Sequence, residues 1–150
     1  MLTRFAILLV EDDLAIIDII TRTAKTSFPE ADFIPVKTFE EAVVYLYNVE
    51  GPGPRLALLD IHLGGSQTGL DFLQLMQQHP LGKLVPVVML SASRSAHDRR
   101  DAYNRGAVSF VTKPFSLAEW KVLLSELRSY WYNAVSLPRT WFEKTQQASN

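Results

Sequence analysis

Ala6-Ile7-Leu8-Leu9-Val10-Glu11-Asp12-Asp13 decides the fold. Five apolar residues without polar alternation, closed by three acids, read as a strand buried on both faces of a parallel sheet. Parallel strands need crossover connections, so a helix must follow. From Leu14 onward, Ile16, Ile17, Ile20 and Ala24 recur at helical spacing, and Asp13 is placed to cap that helix.

The same theme repeats along the chain. Phe33 to Val36 reads as a second strand, and Thr38 with Glu41 as a capping box for a helix carrying Ala42, Val43, Leu46 and Tyr47. Gly51-Pro52-Gly53-Pro54 ends that helix. Leu56 to Leu59 forms the third strand, a loop with Gly64-Gly65 follows, and Leu70, Phe72, Leu73, Leu75 and Met76 mark the third helix. Val85 to Leu90 is a fourth strand, 95 to 104 a polar helix, and Ala107 to Val111 a fifth strand, with a long helix after Pro114. Five strands alternating with five helices predict an α/β protein with a doubly wound, five-stranded parallel sheet and helices on both faces.

The 150 residues suit one domain with a substantial core. The chain is 47% hydrophobic and 21% charged with a net charge of -1, which gives no electrostatic reason to expect nucleic acid. With 0 cysteines, disulfides, thiolate metal sites and cysteine nucleophiles are excluded. The first apolar stretch meets Glu11 too soon for a signal peptide or a membrane span, so a cytoplasmic protein is expected.

Ligands of doubly wound sheets bind at the carboxyl ends of the strands. The polar residues there are Glu11 and Asp12 after the first strand, Asp60 after the third, Ser91 after the fourth and Lys113 after the fifth. Three carboxylates on one rim repel one another unless a cation neutralises them, and a hard divalent ion such as magnesium suits oxygen ligands and phosphate. An aspartate can then act as a nucleophile and form an acyl phosphate, while Lys113 and Ser91 supply donors to the equatorial oxygens. Singly, each residue has a plainer reading as a cap, a turn residue or solvated surface. Their conjunction at the strand ends carries the functional reading.

Through Leu8-Leu9-Val10-Glu11-Asp12-Asp13, Leu58-Leu59-Asp60-Ile61, Pro86-Val87-Val88-Met89-Leu90-Ser91-Ala92 and Lys113-Pro114-Phe115, the chain resembles the receiver domains of two-component response regulators over roughly residues 5 to 130. The resemblance implies a flavodoxin-like (CheY-like) sheet of strand order 2-1-3-4-5. It implies that Asp60 is the phosphoacceptor and that Glu11, Asp12, Asp60 and the backbone carbonyl of His62 hold Mg2+ or Mn2+. Lys113 would bind the phosphoryl oxygens, Ser91 would be the switch hydroxyl, Phe110 the switch aromatic, and the Lys113-Pro114 bond would be cis. Such a domain assists its own phosphorylation and dephosphorylation without being an enzyme in the ordinary sense.

Two departures stand out. Glu11 replaces the commoner aspartate and lengthens one arm of the acidic pair. The loop Gly64-Gly65-Ser66-Gln67-Thr68-Gly69 lacks the family's usual proline and is one residue longer than its commonest form. The imidazole of His62 is expected to face solvent and tune hydrolysis rather than to ligate a metal.

The stretch after the last helix is too short for a DNA-binding effector domain, so a stand-alone regulator is expected, with a receiver domain over 1–132 and a C-terminal extension over 133–150. In the last helix Leu117, Trp120, Leu124, Leu127, Trp131 and Ala134 form one apolar stripe, with Val122, Leu123 and Tyr130 outside it. That surplus, together with Leu137-Pro138 and Trp141-Phe142, predicts an interface, the alternative being an extension that folds back on its own domain.

Tyr130-Trp131-Tyr132-Asn133-Ala134-Val135-Ser136-Leu137-Pro138 resembles the ending of the small regulators paired with bacterial phytochrome histidine kinases. This implies a phytochrome-type sensor kinase as partner and a homodimer through the last helix and extension. The competing functions are a phosphorelay intermediate, a haloacid-dehalogenase-type phosphatase and a pseudo-receiver scaffold. The phosphatase reading needs an aspartate where His62 stands, and the scaffold reading sits poorly with an intact acceptor, acidic pair, hydroxyl and lysine.

Overall fold

A computed structural model describes residues 4–144. The chain runs β1 (Phe5–Val10), α1 (Leu14–Ser27), β2 (Ala31–Val36), α2 (Phe39–Asn48), β3 (Leu56–Asp60), α3 (Gly69–Gln78), β4 (Val87–Ser91), α4 (Ala96–Asn104), β5 (Ser109–Thr112) and α5 (Leu117–Leu127). A 3-10 turn at Gly82–Leu84 precedes β4, and a π-helical stretch, Arg128–Ala134, continues α5. The strands form one parallel sheet in the order β2-β1-β3-β4-β5, the expected flavodoxin-like arrangement. Among the described residues, no helix is long and apolar enough to cross a membrane.

Unbroken apolar runs in β1, β3 and β4 serve a sheet covered on both sides. Leu8, Val10, Ala57, Leu59, Val87 and Met89 face α2 and α3, whereas Ile7, Leu9, Leu56, Leu58, Val88 and Leu90 face α1 and α5. Successive side chains on a strand point to opposite faces, so each central strand supplies two cores at once. This rigid double core holds the strand ends at a common level.

Caps set the helix starts. Asp13 Oδ1 accepts the N–H of Ala15 at 2.9 Å, as expected. Thr38 Oγ1 accepts Glu41 N–H at 3.0 Å, but the Glu41 carboxylate takes the N–H of Lys37, at 2.9 Å, instead of closing a box on Thr38. The complete capping box stands at Thr68 and Asp71.

Three expectations need correction. β4 starts at Val87 and β5 at Ser109, each two residues late, because Val85 is used to close the 3-10 turn and Ala107 N–H bonds back to Ala102 O to stop α4. Apolar residues in such stops look like strand in a sequence pattern. The Lys113-Pro114 bond is trans, since no cis peptide occurs among the described residues. Trans is the lower-energy form of an X–Pro bond by about 0.5–1 kcal/mol, so proline permits the cis form without imposing it.

The third correction concerns the last helix, which buries Trp120, Leu123, Leu124 and Leu127 and leaves Leu117 57% exposed. The buried set follows i, i+3, i+4, i+7 spacing from Trp120, which admits Leu123 and excludes Leu117. The π-helical stretch then widens the turn, so that adjacent Trp131 and Tyr132 both pack on the α1/α5 core and Ala134 is exposed.

Arg128 fixes this stretch by a fork of 2.6 and 2.7 Å bonds to buried Glu30. Beyond it the chain folds back. Phe142, 1% exposed, exchanges backbone bonds of 2.9 and 2.6 Å with Gly51, and its ring stacks on His79 with centroids 5.8 Å apart. Thr140 Oγ1 donates to Pro52 O at 2.8 Å, and Arg55 to Pro138 O at 3.3 Å. A Cβ on Gly53, whose φ is 68, would stand 2.3 Å from two ring carbons of Phe142, so both backbone and space favour glycine there. The extension therefore divides, with Leu137 and Phe142 packed on their own domain and Trp141 left 66% exposed. Residues 145–150 of the predicted interface segment lie outside the described part.

Candidate functional site

Parallel register brings the polar strand ends together. Val10 pairs with Leu59, Asp60 with Leu90 and Ser91 with Thr112, which places Glu11, Asp60, Ser91 and Lys113 along one rim. The backbone locks their level, with Glu11 N–H donating to Val36 O at 3.0 Å and Lys113 N–H to Ser91 O at 2.9 Å.

Carboxylate oxygens of Glu11, Asp12 and Asp60 all lie within 4.8 Å of one another. Glu11 and Asp60 are buried, at 1% and 5% exposure, while Asp12 is open to solvent. Lys113 Nζ lies 2.7 Å from Glu11 Oε1 and 3.3 Å from Asp60 Oδ1. The contact with Glu11 is short but misdirected, an ion pair more than a well-formed hydrogen bond. Glu11 Oε2 accepts the N–H of Asp13 at 3.2 Å.

Burial pushes the Glu11 carboxyl up to about 7, with Lys113 pulling against it and the charge of Asp60 adding to it. Burial also works against the Lys113 ammonium, but the facing Glu11 and Asp60 oxygens outweigh it and hold its pKa above the usual lysine value. Three carboxylates against one ammonium leave two negative charges uncompensated when all are ionised. An all-oxygen donor set with that surplus fits a hard divalent cation such as Mg2+ or Mn2+.

Ser91 is fully buried, and its Oγ accepts the N–H of Ser93 at 3.0 Å. Phe110 is half-buried against the α2/α3 core, with its N–H bonded to the Tyr103 hydroxyl at 3.2 Å. His62 is exposed and its imidazole stands outside the acidic cluster, while its N–H reaches Asp60 Oδ1 at a long 3.4 Å.

Gly69 is the site residue whose role the sequence reading missed. A Cβ there would lie 1.8 Å from the Asp60 carbonyl oxygen, and Gly69 N–H donates to Ile61 O at 2.8 Å. The loop after β3 therefore closes directly against the back of Asp60. Its signal was available: a glycine as the first residue of a helix, just after its Thr68 cap, calls for close backbone approach more than for flexibility. Gly64, at φ 78, carries the same loop past Asp12.

A parallel sheet in this strand order, gathering acids, a hydroxyl and a lysine on its carboxyl rim, defines the class of receiver domains. The chain matches the response regulator receiver domain over residues 7–125 and belongs to that family. Among its relatives, Response regulator Rcp1 of Synechocystis sp. is 29% identical over 136 residues, spanning 88% of this chain and 92% of Rcp1. The probable methanogenesis regulatory protein FilR2 of Methanothrix harundinacea is 32% identical over 130 residues, covering 85% of this chain and 83% of FilR2. The crystal structure of phosphorylated RcpA, a cyanobacterial phytochrome response regulator, superposes with a TM-score of 0.81 at 27% identity, covering 91% of this chain and 99% of RcpA. The Mn(2+)-bound form of Rcp1 superposes with a TM-score of 0.78 at 29% identity, covering 89% and 99%.

Proposed function

We propose that this chain is a stand-alone response regulator that takes a phosphoryl group from a sensor histidine kinase onto Asp60 and signals by a conformational change coupled to self-association. The observation that carries the reading is the pairing of Asp60 Oδ1 with Lys113 Nζ, 3.3 Å apart, inside the acidic cluster of Glu11 and Asp12. An Asp60 carboxylate oxygen attacks phosphorus as the phosphorus–nitrogen bond to the donor histidine breaks. The imidazole leaves with the electron pair. Lys113 stays on the phosphoryl oxygens, held in place by Glu11.

A Mg2+ or Mn2+ ion held by Glu11, Asp12, Asp60 and the His62 carbonyl would supply the charge neutralisation that lets an anion approach this rim. Ser91 Oγ, now engaged with Ser93 N–H, turns to the phosphoryl group once it is present, and Phe110 moves with it. The unphosphorylated arrangement is thus the one in which Ser91 serves its own turn.

Likeness to RcpA, a phytochrome response regulator, over 99% of that chain supports a phytochrome-type kinase as donor. The homodimer reading rests on the outer face of the last helix. There Val122 and Tyr130, each 57% exposed, line a shallow groove of about 530 Å³ with Lys121, Ser125 and Glu126. Because Phe142 is already buried, the dimer contact is assigned to this face and to Trp141.

Acetyl phosphate with Mg2+ is expected to add one phosphoryl mass to the chain and none to the Asp60→Asn variant. Equal labelling of the two overturns the acceptor reading. Light scattering before and after labelling tests the dimer, and a monomer mass in both states at micromolar concentration overturns it.

A further inference from the structure

Helix α4 is the least anchored of the five. Its sequence, Ala96 to Asn104, is mostly polar, and Ala102 is its one buried residue. Polar ties hold it instead. Ser95 Oγ caps it by accepting Asp98 N–H at 3.3 Å, and Arg105, at its carboxyl end, joins Asp101 through Nε at 2.9 Å. The same guanidinium crosses to α3, where Nη1 lies 3.3 Å from Asp71 Oδ1.

Asp71, in the first turn of α3, ties down the end of the loop that closes against Asp60. Its other oxygen, Oδ2, accepts the Thr68 N–H at 2.8 Å and the Thr68 hydroxyl at 3.2 Å. Thr68 precedes Gly69, the glycine pressed against the Asp60 carbonyl and bonded to Ile61 O. A continuous chain of contacts therefore runs from Asp60 through Gly69, Thr68 and Asp71 to Arg105 and into α4. The turn after α4 is seated on α3 as well, since Gly106, at φ 109, lies so close to Gln77 that a Cβ would stand 2.7 Å from its Cδ.

We propose that Arg105 is a positioning residue that ties the acceptor loop to α4, so that phosphorylation of Asp60 and release of α4 are the same event seen at two places. This rests on the reading of Asp60 as phosphoacceptor. A charge-assisted fork joining two carboxylates on different helices is a stiff link between elements that otherwise share little apolar contact. The link does not titrate near neutrality. Hydrogen bonds from Thr68 and Arg105 hold the Asp71 carboxyl below its ordinary value, and the two aspartates hold the Arg105 pKa above its own. What loosens it is movement of the loop around Asp60. Coupling between two sites is reciprocal, so freeing α4 must in turn favour the phosphorylated state.

The experiment uses the full chain, four single variants, Arg105→Gln, Arg105→Lys, Asp71→Asn and Asp101→Asn, and the double variant of Arg105→Gln with Asp71→Asn. Amide hydrogen exchange in α4 and the half-time of labelling by acetyl phosphate with Mg2+ are read on each. Arg105→Gln is expected to speed exchange of the α4 amides toward the rates of phosphorylated wild type and, by raising the fraction of chains whose loop is ready to accept the phosphoryl group, to shorten the labelling half-time by about fivefold. Arg105→Lys falls between, and Arg105→Gln combined with Asp71→Asn adds little to either alone. Asp101→Asn, which cuts the tie within α4 and spares the one to α3, leaves labelling unchanged.

Faster α4 exchange in Arg105→Gln with wild-type labelling overturns the inference, because Arg105 would then merely pin the helix. Unchanged exchange overturns it too. A wild-type chain that takes no label sinks the Asp60 reading itself, and this inference with it. A labelled wild type beside an indifferent Arg105→Gln sinks this inference alone.

Discussion

The two ends of the sheet are built on opposite principles. At the carboxyl end, two buried acids, an exposed one and a lysine face one another with charge left over, and a loop lies against Asp60 at a glycine with no room for a side chain. At the amino end, the returning extension seats Phe142 on His79 and pairs two backbone bonds with Gly51. One end stores unsatisfied charge; the other is closed by apolar contact. Function sits where the fold is least satisfied, and the stability that tolerates it comes from elsewhere. If that division is right, changes at the two ends should separate chemistry from stability.

The largest effect belongs to the carboxyl end. Asp60→Asn removes the nucleophile and is expected to abolish labelling by acetyl phosphate, read by intact mass. Lys113→Met keeps much of the side-chain volume but removes the ammonium, leaving Glu11 and Asp60 to repel each other. Labelling should slow by roughly 100-fold, the usual scale for losing one preorganised charge partner of a transition state. Fold stability in urea should change far less than labelling. A Lys113→Met protein that labels at the wild-type rate would mean that its contact with Asp60 is only structural.

Next in size is Phe142→Ala, at the amino end. Emptying a buried aromatic site costs about 3–5 kcal/mol, visible as a lower urea midpoint. The half-time of Asp60 labelling in the folded protein should not move, because Phe142 and the acidic cluster lie at opposite ends of the strands. A comparable change in labelling would show that the extension and the acceptor communicate. Gly69→Ala should breach the division from the other side, since its methyl group has no room behind Asp60. About 1–3 kcal/mol of overpacking strain is expected together with slower labelling. A neutral Gly69→Ala would show that the loop yields freely.

These two ends differed as much in legibility as in design. The carboxyl rim stood out because acids, a serine and a lysine at the ends of apolar runs are anomalous under burial alone, and parallel register turns a linear pattern into one site. Strand order and the acidic cluster follow the expectation closely. The amino end was hidden because Phe142 meets Gly51, Gly53 and His79 only after the chain has folded back across the domain. An aromatic in an extension carries the same pattern whether it seeks a partner or its own core. Local choices between near-equal options were hidden too. Glu41 could reach Thr38 or Lys37, and Ala107 could start a strand or stop a helix. The π-helical widening after Leu127 moved Trp131 and Tyr132 together onto the core, which no regular period foretells.

The smallest effect is a pH dependence confined to the amino end. His79 is 7% exposed, and its Nδ1 accepts the N–H groups of Leu81 and Gly82 at 3.1 and 3.0 Å. The ring proton therefore sits on Nε2, which is buried without a hydrogen-bond partner beside the stacked Phe142. Adding a second proton would displace both N–H donors and bury a charge, and burial accordingly lowers the His79 pKa from its ordinary 6.5. Below that ordinary value the unfolded chain binds a proton that the folded chain refuses, so the stability tied to neutral His79 is present above about 6.5 and declines as pH falls beneath it. Urea midpoints taken from pH 8 downward should fall across that window in wild type. They should fall less in His79→Phe, while acetyl phosphate labelling keeps the same pH profile in both proteins. Identical midpoint curves would show that His79 does not titrate against the Phe142 contact, and a parallel shift in labelling would erase the separation between the two ends of the sheet.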